Sequence, residues 1–404
     1  MSQELHAIAR RTLIAALLAG TALNASADVI TDWNTKTGEF IIESKLGTPP
    51  AIRVMALVQT AAYEAVRASR GGASVEAAVA SAHRATLVKL LPAQQAAIEA
   101  VYQAALTSIP EGPAKAAGVV MGERAAATTL TQRAGDTIAA ETYRPHTTAG
   151  VYVPTAAPAA PTWSLRTSWH MTSPAQFRVT APPALTSAAW ARDYNEVKTF
   201  GAKSSTQRSA EQTEIARFWE YSLPPIYFGV VRSVAIQPGR DVMRNARLFA
   251  AAAQALDDGM VGVFDSKYSY NFWRPATAIR NGDIDGNDET ARDASWSPLI
   301  SEPMHPEYPS AHATLAGAVG AVLKAEIGAG AVPVLATASP TAKGATRRWT
   351  SIDDFVREVS ESRVYAGIHY RFSTDAGIAL GTNIGELTAR RVLQPGESLA
   401  RNAY

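Results

Sequence analysis

A chain of 404 residues is long enough to bury one large core or two medium ones, and 47% hydrophobic with 18% charged residues is the composition of a folded protein. A formal net charge of +2, with no dense Lys/Arg stripe and interleaved aromatics, argues against a nucleic-acid partner. The absence of cysteine excludes disulfides, thiol chemistry and cysteine-ligated zinc or iron–sulfur clusters.

Arg10 and Arg11 precede an apolar run, Thr12 to Ala22, that closes on Ala25-Ser26-Ala27. A basic start, a short apolar stretch and small residues two apart form the pattern of a removable secretory signal. Residues 1–27 are therefore expected to be a signal peptide, and the protein to be exported, periplasmic or secreted. The export route stays open. The run is too short to span a bilayer permanently and no later segment reaches that length, so no stable membrane span is expected after signal removal.

Residues 51–70 place Val54, Leu57, Val58, Ala61 and Val66 near helical spacing. Alanine-rich helical stretches follow at about 75–91, 93–108 and 112–132. From Glu141 to Pro183 frequent proline forbids a continuous helix. Trp163, Trp169 and Phe177 give that segment apolar surface to bury, so it reads as a long ordered crossover. Helical patterning resumes at 187–200, 208–222 and 241–265, and is broken at Pro275 and through Gly282–Asp288. Further helices are expected from Pro309 to about Gly328, Ser351 to Gly367 and Ser373 to Leu393. Strand-like alternation is scarce. The predicted fold is all-α: two closely packed helical bundles with a Pro-rich crossover, residues 28–185 forming the N-terminal region and 186–404 the catalytic one.

Three segments carry chemistry. Lys267-Tyr-Ser-Tyr-Asn-Phe-Trp-Arg274-Pro275 sets two cations seven residues apart, about two turns along one side of a helix. Pro309-Ser310-Ala311-His312 opens an apolar helix, whose first amides and serine can cradle an oxyanion beneath a proton-accepting histidine. Ser362-Arg363-Val-Tyr-Ala-Gly-Ile-His369 adds a planar guanidinium suited to phosphate-like oxygens and an imidazole able to bond phosphorus or a metal. Each segment alone also fits ordinary packing. Together they suggest three cations balancing one oxyanion of charge about −2 to −3, since such a cluster would be costly if buried unpaired.

The order Lys-x6-Arg-Pro, Pro-Ser-x-His, Ser-Arg-x5-His resembles the type-2 phosphatidic acid phosphatase and vanadium haloperoxidase superfamily. Asp265 to Pro275, and the earlier Glu211-Gln-Thr-Glu-Ile-Ala-Arg-Phe-Trp219, resemble its bacterial vanadium-dependent haloperoxidase branch. The resemblance implies vanadate as cofactor, held by Lys267, Arg274, Arg363, Ser310 and the amide of Ala311. It implies His369 as the vanadium ligand, His312 as the acid–base residue and Lys267 as a catalytic hydrogen-bond donor. His305 falls where such enzymes differ, and histidine there resembles the bromide- and iodide-oxidising members. The substrates implied are hydrogen peroxide and halide. A soluble exported phosphatase acting on a phosphoester through a phosphohistidine at His369, or a non-enzymatic oxyanion-binding protein, would use the same groups. Two positions depart from the pattern. Ala311 replaces the usual glycine, and Ser373 stands where an acid usually follows the second histidine, leaving Asp375, Asp258 or a backbone carbonyl to orient His369.

Overall fold

A computed structural model of the chain describes residues 28–69, 71–136 and 148–394. The expected signal segment, Arg70 and the crossover's residues 141–147 lie outside the described residues.

Thirteen α-helices are described. In the first half they are α1 (Val29–Glu43), α2 (Thr48–Ala68), α3 (Val75–Leu90), α4 (Gln95–Thr107) and α5 (Pro113–Gln132). In the second they are α6 (Ala188–Phe200), α7 (Ala210–Phe218), α8 (Pro224–Ala235), α9 (Val242–Tyr270), α10 (Pro275–Arg280), α11 (Ala311–Ile327), α12 (Ile352–Tyr365) and α13 (Arg371–Val392). The starts follow local chemistry. Asp28, Ser74, Ser187, Ser209, Asp241, Ser310 and Ser351 each accept a hydrogen bond from a first-turn amide. Proline, whose missing N–H costs nothing in a first turn, opens α2, α5, α8 and α10.

The structure adds elements that the sequence pattern did not separate. α1, α8 and α10 were not anticipated, Pro275 opening α10 where only a break was expected, and a short antiparallel hairpin joins α11 to α12, pairing β1 (Leu335–Ser339) with β2 (Ala345–Trp349). Its turn places Lys343 and Gly344 at positive φ. The architecture is otherwise helical, as expected. None of the described helices is long and apolar enough to cross a membrane.

One buried apolar cluster includes Ile30 and Val54 from the first half and Leu256, Val319 and Leu393 from the second. Its axis is α9, whose 29 residues extend about 43 Å. Against it, α13 presses onto α11 at near-backbone distance: a Cβ at Gly381 would stand 1.9 Å from the Thr314 carbonyl oxygen, so only glycine fits. That contact brings the starts of α11 and α13 together, where the Ser310 amide donates to the Ser373 carbonyl at 3.1 Å. A second cluster, with Trp190, Phe272, Trp273, Tyr308 and Tyr370, backs the loops between α9 and α11. The Pro-rich crossover is ordered where it is described. Trp169 and His170 donate their backbone N–H groups to the two Asp258 oxygens of α9, at 2.6 and 2.9 Å.

Candidate active site

Lys267 lies on the last turn of α9, which ends at Asn271 in the left-handed conformation (φ 47°, ψ 43°). The chain then turns, and Arg274 caps α10 from outside. The two cations therefore do not share one helix face, as their spacing suggested. They meet because an asparagine, which tolerates this conformation, reverses the chain between them.

Both cations are fully buried and close on the segment before α11. Lys267 Nζ donates to the carbonyls of Pro306 and Glu307 at 2.9 and 2.8 Å. Arg274 donates to the carbonyls of His305 (3.1 Å) and Ile368 (2.8 Å), and its Nη1 lies 3.3 Å from His369 Nε2. Arg363, in the last turn of α12, donates through Nη1 to the Trp219 carbonyl, while its Nε is buried without a partner. Trp219 closes the α7 motif noted in the sequence, and its backbone also hydrogen-bonds the His312 ring. His312 Nε2 is buried without a hydrogen-bond partner.

His369 sits in the short link between α12 and α13, reached through Gly367 at φ 79°. A Cβ at that glycine would stand 2.3 Å from the Gly201 carbonyl oxygen. His369 Nδ1 lies 2.6 Å from Glu307 Oε1, an oxygen that also accepts the Tyr370 amide at 3.2 Å. A carboxylate accepts, so Nδ1 carries the hydrogen and the Nε2 lone pair faces the guanidinium. Ser373 stands one turn on, its Oγ 3.4 Å from the same nitrogen.

Glu307 corrects the sequence reading of the orienting group. Asp258 is far along α9, occupied by Trp169 and His170. Asp375 is exposed, in the field of Arg371, Asp193 and Glu196. The acid instead arrives from before α11, five residues ahead of His312. Nothing in Pro306-Glu307-Tyr308-Pro309 marks that glutamate as buried, because its partner lies in a distant stretch of the chain. Ala311 is also resolved. As the first helical residue of α11, it is not among the non-glycine residues at positive φ, so its Cβ meets no backbone penalty.

Burial dominates the electrostatics. It holds Lys267 well below its ordinary range, assisted by Arg274 and opposed by Glu307. Burial pulls Arg363 down to about 10 and keeps His369 and His312 neutral, with the neighbouring cations adding to the effect. Glu307 is pushed up to about 7 by burial, against the pull of Arg274 and Lys267. Its second oxygen has no partner.

His305, His312 and His369 line a cavity of about 240 Å³ whose remaining walls include Pro49, Met260, Phe264, Met304, Leu315 and Ile368. His305 Nδ1 lies 3.0 Å from Arg274 Nη2, and its ring packs edge-on against Phe264. Ser310, buried at the α11 N-cap, has its Oγ 3.5 Å from the Ala313 amide. Lys267, Arg274, Ser310, Arg363, His369 and His312 thus converge as the spacing suggested, with His305 at the same opening.

Residues 247–397 match the family described as the VCPO second helical-bundle domain. In the structural comparison a bacterial vanadium-dependent iodoperoxidase superposes with a TM-score of 0.77 at 23% identity, covering 92% of this chain and 97% of that one. This chain has the vanadium haloperoxidase fold. A holo-type bacterial vanadium-dependent chloroperoxidase gives a TM-score of 0.71 at 16% identity, covering 86% and 93%. Vanadium chloroperoxidase of Curvularia inaequalis is 31% identical over an alignment of 144 residues, and the match covers 29% of this chain and only 23% of that protein. In this fold the converged groups gather beside one cavity, with their cations buried. The Arg363 Nε–H is a buried donor without an acceptor among the described residues, a group that a tetrahedral oxyanion would satisfy.

Proposed function

We propose that this chain is a vanadate-dependent haloperoxidase that oxidises bromide or iodide with hydrogen peroxide to hypohalous acid. One observation carries the reading. Three buried cations surround an imidazole whose far nitrogen is held by a carboxylate, with a second histidine lining the same cavity.

Lys267, Arg274 and Arg363, with Ser310 and the Ala311 amide, would hold the oxygens of vanadate, and His369 Nε2 would be its protein ligand. Bound vanadate would supply a Lewis-acid centre that makes peroxide electrophilic without changing its own oxidation state. His312, kept neutral by burial, takes the proton of incoming hydrogen peroxide. Glu307 fixes the His369 ring and raises its electron density. Lys267 would donate a hydrogen bond to the reacting oxygen, its ammonium favoured as the anion offsets Arg274.

His305 supports the choice of halide. Arg274 has no lone pair to offer, so His305 Nδ1 accepts from it, and the ring proton belongs on Nε2. The Pro306 carbonyl, 3.2 Å from the same Nδ1, is already served by Lys267. The cavity therefore receives an N–H donor beside an aromatic edge, a setting suited to a large polarisable anion. Export, proposed from residues 1–27, would place this chemistry outside the cytoplasm.

The test is to reconstitute the purified protein with vanadate and follow bromide and iodide oxidation under peroxide, with phosphoester hydrolysis as a parallel arm. Halide oxidation that vanishes in His369→Ala and His312→Ala is the expected result. Phosphate release without halide oxidation would assign the site to phosphohistidine chemistry instead, and anion binding with neither activity would leave an oxyanion-binding protein.

A further inference from the structure

The cavity above the three histidines also holds two thioethers, Met260 and Met304. The chain has no cysteine, so these sulfurs are the softest nucleophiles that an oxidant formed there would meet. The two differ in access. Met260 is 2% exposed, sealed into the wall by α9, whereas Met304 is half-buried, immediately before His305. The crossover pins Met304 from outside: the Ala159 amide donates to its carbonyl at 2.5 Å, and the Tyr268 hydroxyl holds the Ala159 carbonyl at 2.7 Å. Its sulfur accepts from the exposed Thr155 hydroxyl at 3.4 Å. That contact leaves the second sulfur lone pair free, and the sulfur stands between the cavity and solvent.

We propose that Met304 is a self-modification site, converted to the sulfoxide by hypohalous acid on its way out of the cavity. The inference rests on the haloperoxidase reading, which supplies the oxidant. The Met304 sulfur attacks the halogen of HOX, forming an S–X bond as the O–X bond breaks and hydroxide leaves. Water then adds to sulfur, halide departs, and two protons are released, one of which neutralises the hydroxide. Sulfur loses two electrons, the halogen gains two, and the net products are sulfoxide, halide and one proton. Because halide is returned, a trace suffices while peroxide lasts. The product puts a polar S=O beside the His305 opening in place of an apolar thioether.

The experiment treats vanadate-reconstituted protein with peroxide, with and without bromide, and measures oxygen addition at each methionine by peptide mass spectrometry. Halide oxidation is recorded in the same sample. Met121 and Met243 serve as internal references, since both are half-buried in other clefts. The expected result is bromide-dependent sulfoxide at Met304 several-fold above both references, reached even when bromide is substoichiometric to protein. In His312→Ala, Met304 should stay reduced under peroxide and bromide yet oxidise when hypobromite is added directly. Bromide oxidation with Met304 modified no more than the references would overturn the inference and leave the enzyme reading standing. Equal modification with peroxide alone would also overturn it, by making peroxide the oxidant. Absence of halide oxidation would remove the enzyme reading, and the inference with it.

Discussion

Helix α9 carries two buried charged clusters roughly 15 Å apart along its axis, and they are built on opposite principles. Midway along it, Arg53 of α2 donates to Asp257 at 2.5 Å and also to Asp136, while the Trp169 indole donates to Asp257 at 2.7 Å. Arg133 stacks over the same indole at 3.8 Å. Charge there is balanced within the protein, apart from one unpartnered Asp257 oxygen. At the C-terminal end, Lys267, Arg274 and Arg363 find mainly backbone carbonyls, and Glu307 is the one carboxylate bonded to the cluster's own histidine. A cluster that neutralises itself holds structure together. One left with surplus positive charge and an orphan Arg363 donor is suited to an anion from outside.

Removing one cation from each cluster should therefore have opposite consequences. Arg53→Met leaves Asp136 and Asp257 buried without their partner and should cost about 3–5 kcal/mol, read as a fall in the urea midpoint. Lys267→Met removes a desolvated charge that Arg274 repels. The anion-free protein should keep or gain stability while its vanadate affinity drops sharply. Equal destabilisation by the two substitutions would erase the distinction. Next in size is the anion itself. Vanadate or inorganic phosphate at about 100 times its Kd should add about 2.7 kcal/mol, seen as a rise in Tm. Arg363→Met should abolish that rise. A rise that persists there would place the anion elsewhere.

Glu307→Gln probes the link between the two functions of the site. It keeps a group able to accept from His369 Nδ1 but removes the charge, so a loss of about 10–100-fold in halide oxidation is expected with folding intact. Burial raises the Glu307 carboxyl to about 7, so its charge, and the polarisation of His369, is present above that value and lost as pH falls through it. The wild-type rate should show this acidic limb, shifted upward by a bound anion, and the Gln variant should not. A purely structural Glu307 would lower the rate without removing the limb.

The sequence revealed most of this site because its motifs are local. Lys267, Arg274, Ser310, His312, Arg363 and His369 each sit in a short stretch whose residue types already suit an oxyanion. What it concealed depends on long-range closure. Glu307 reaches His369 across 62 positions, and the Trp219 carbonyl couples α7 to Arg363 across 144. Such contacts have no periodicity to read. The helices were visible where apolar residues recur at helical spacing, as in α2 and α11. α8 was lost because its Pro224-Pro225 start reads as a break until proline's tolerance in a first turn is considered. The hairpin was lost because five-residue strands such as Leu335–Ser339 alternate too briefly to stand out.

The smallest effect tests whether the balanced cluster is balanced throughout. Asp258 is its exception: it faces backbone amides of Trp169 and His170, with Asp257 beside it adding repulsion. Burial raises its carboxyl from 3.8 to about 7, the amides opposing that shift. Between those values the folded protein holds a proton that the unfolded chain has released, so stability is greatest at acid pH, falls as pH rises and levels off above 7. The slope is bounded by about 1.4 kcal/mol per pH unit. Asp258→Asn has nothing to titrate. The difference in urea midpoint between wild type and variant should narrow or reverse from about pH 4 to 7, with Glu307 cancelling because both proteins carry it. Parallel profiles would mean that Asp258 is ionised throughout and that the crossover's amides neutralise it as fully as Arg53 does Asp257.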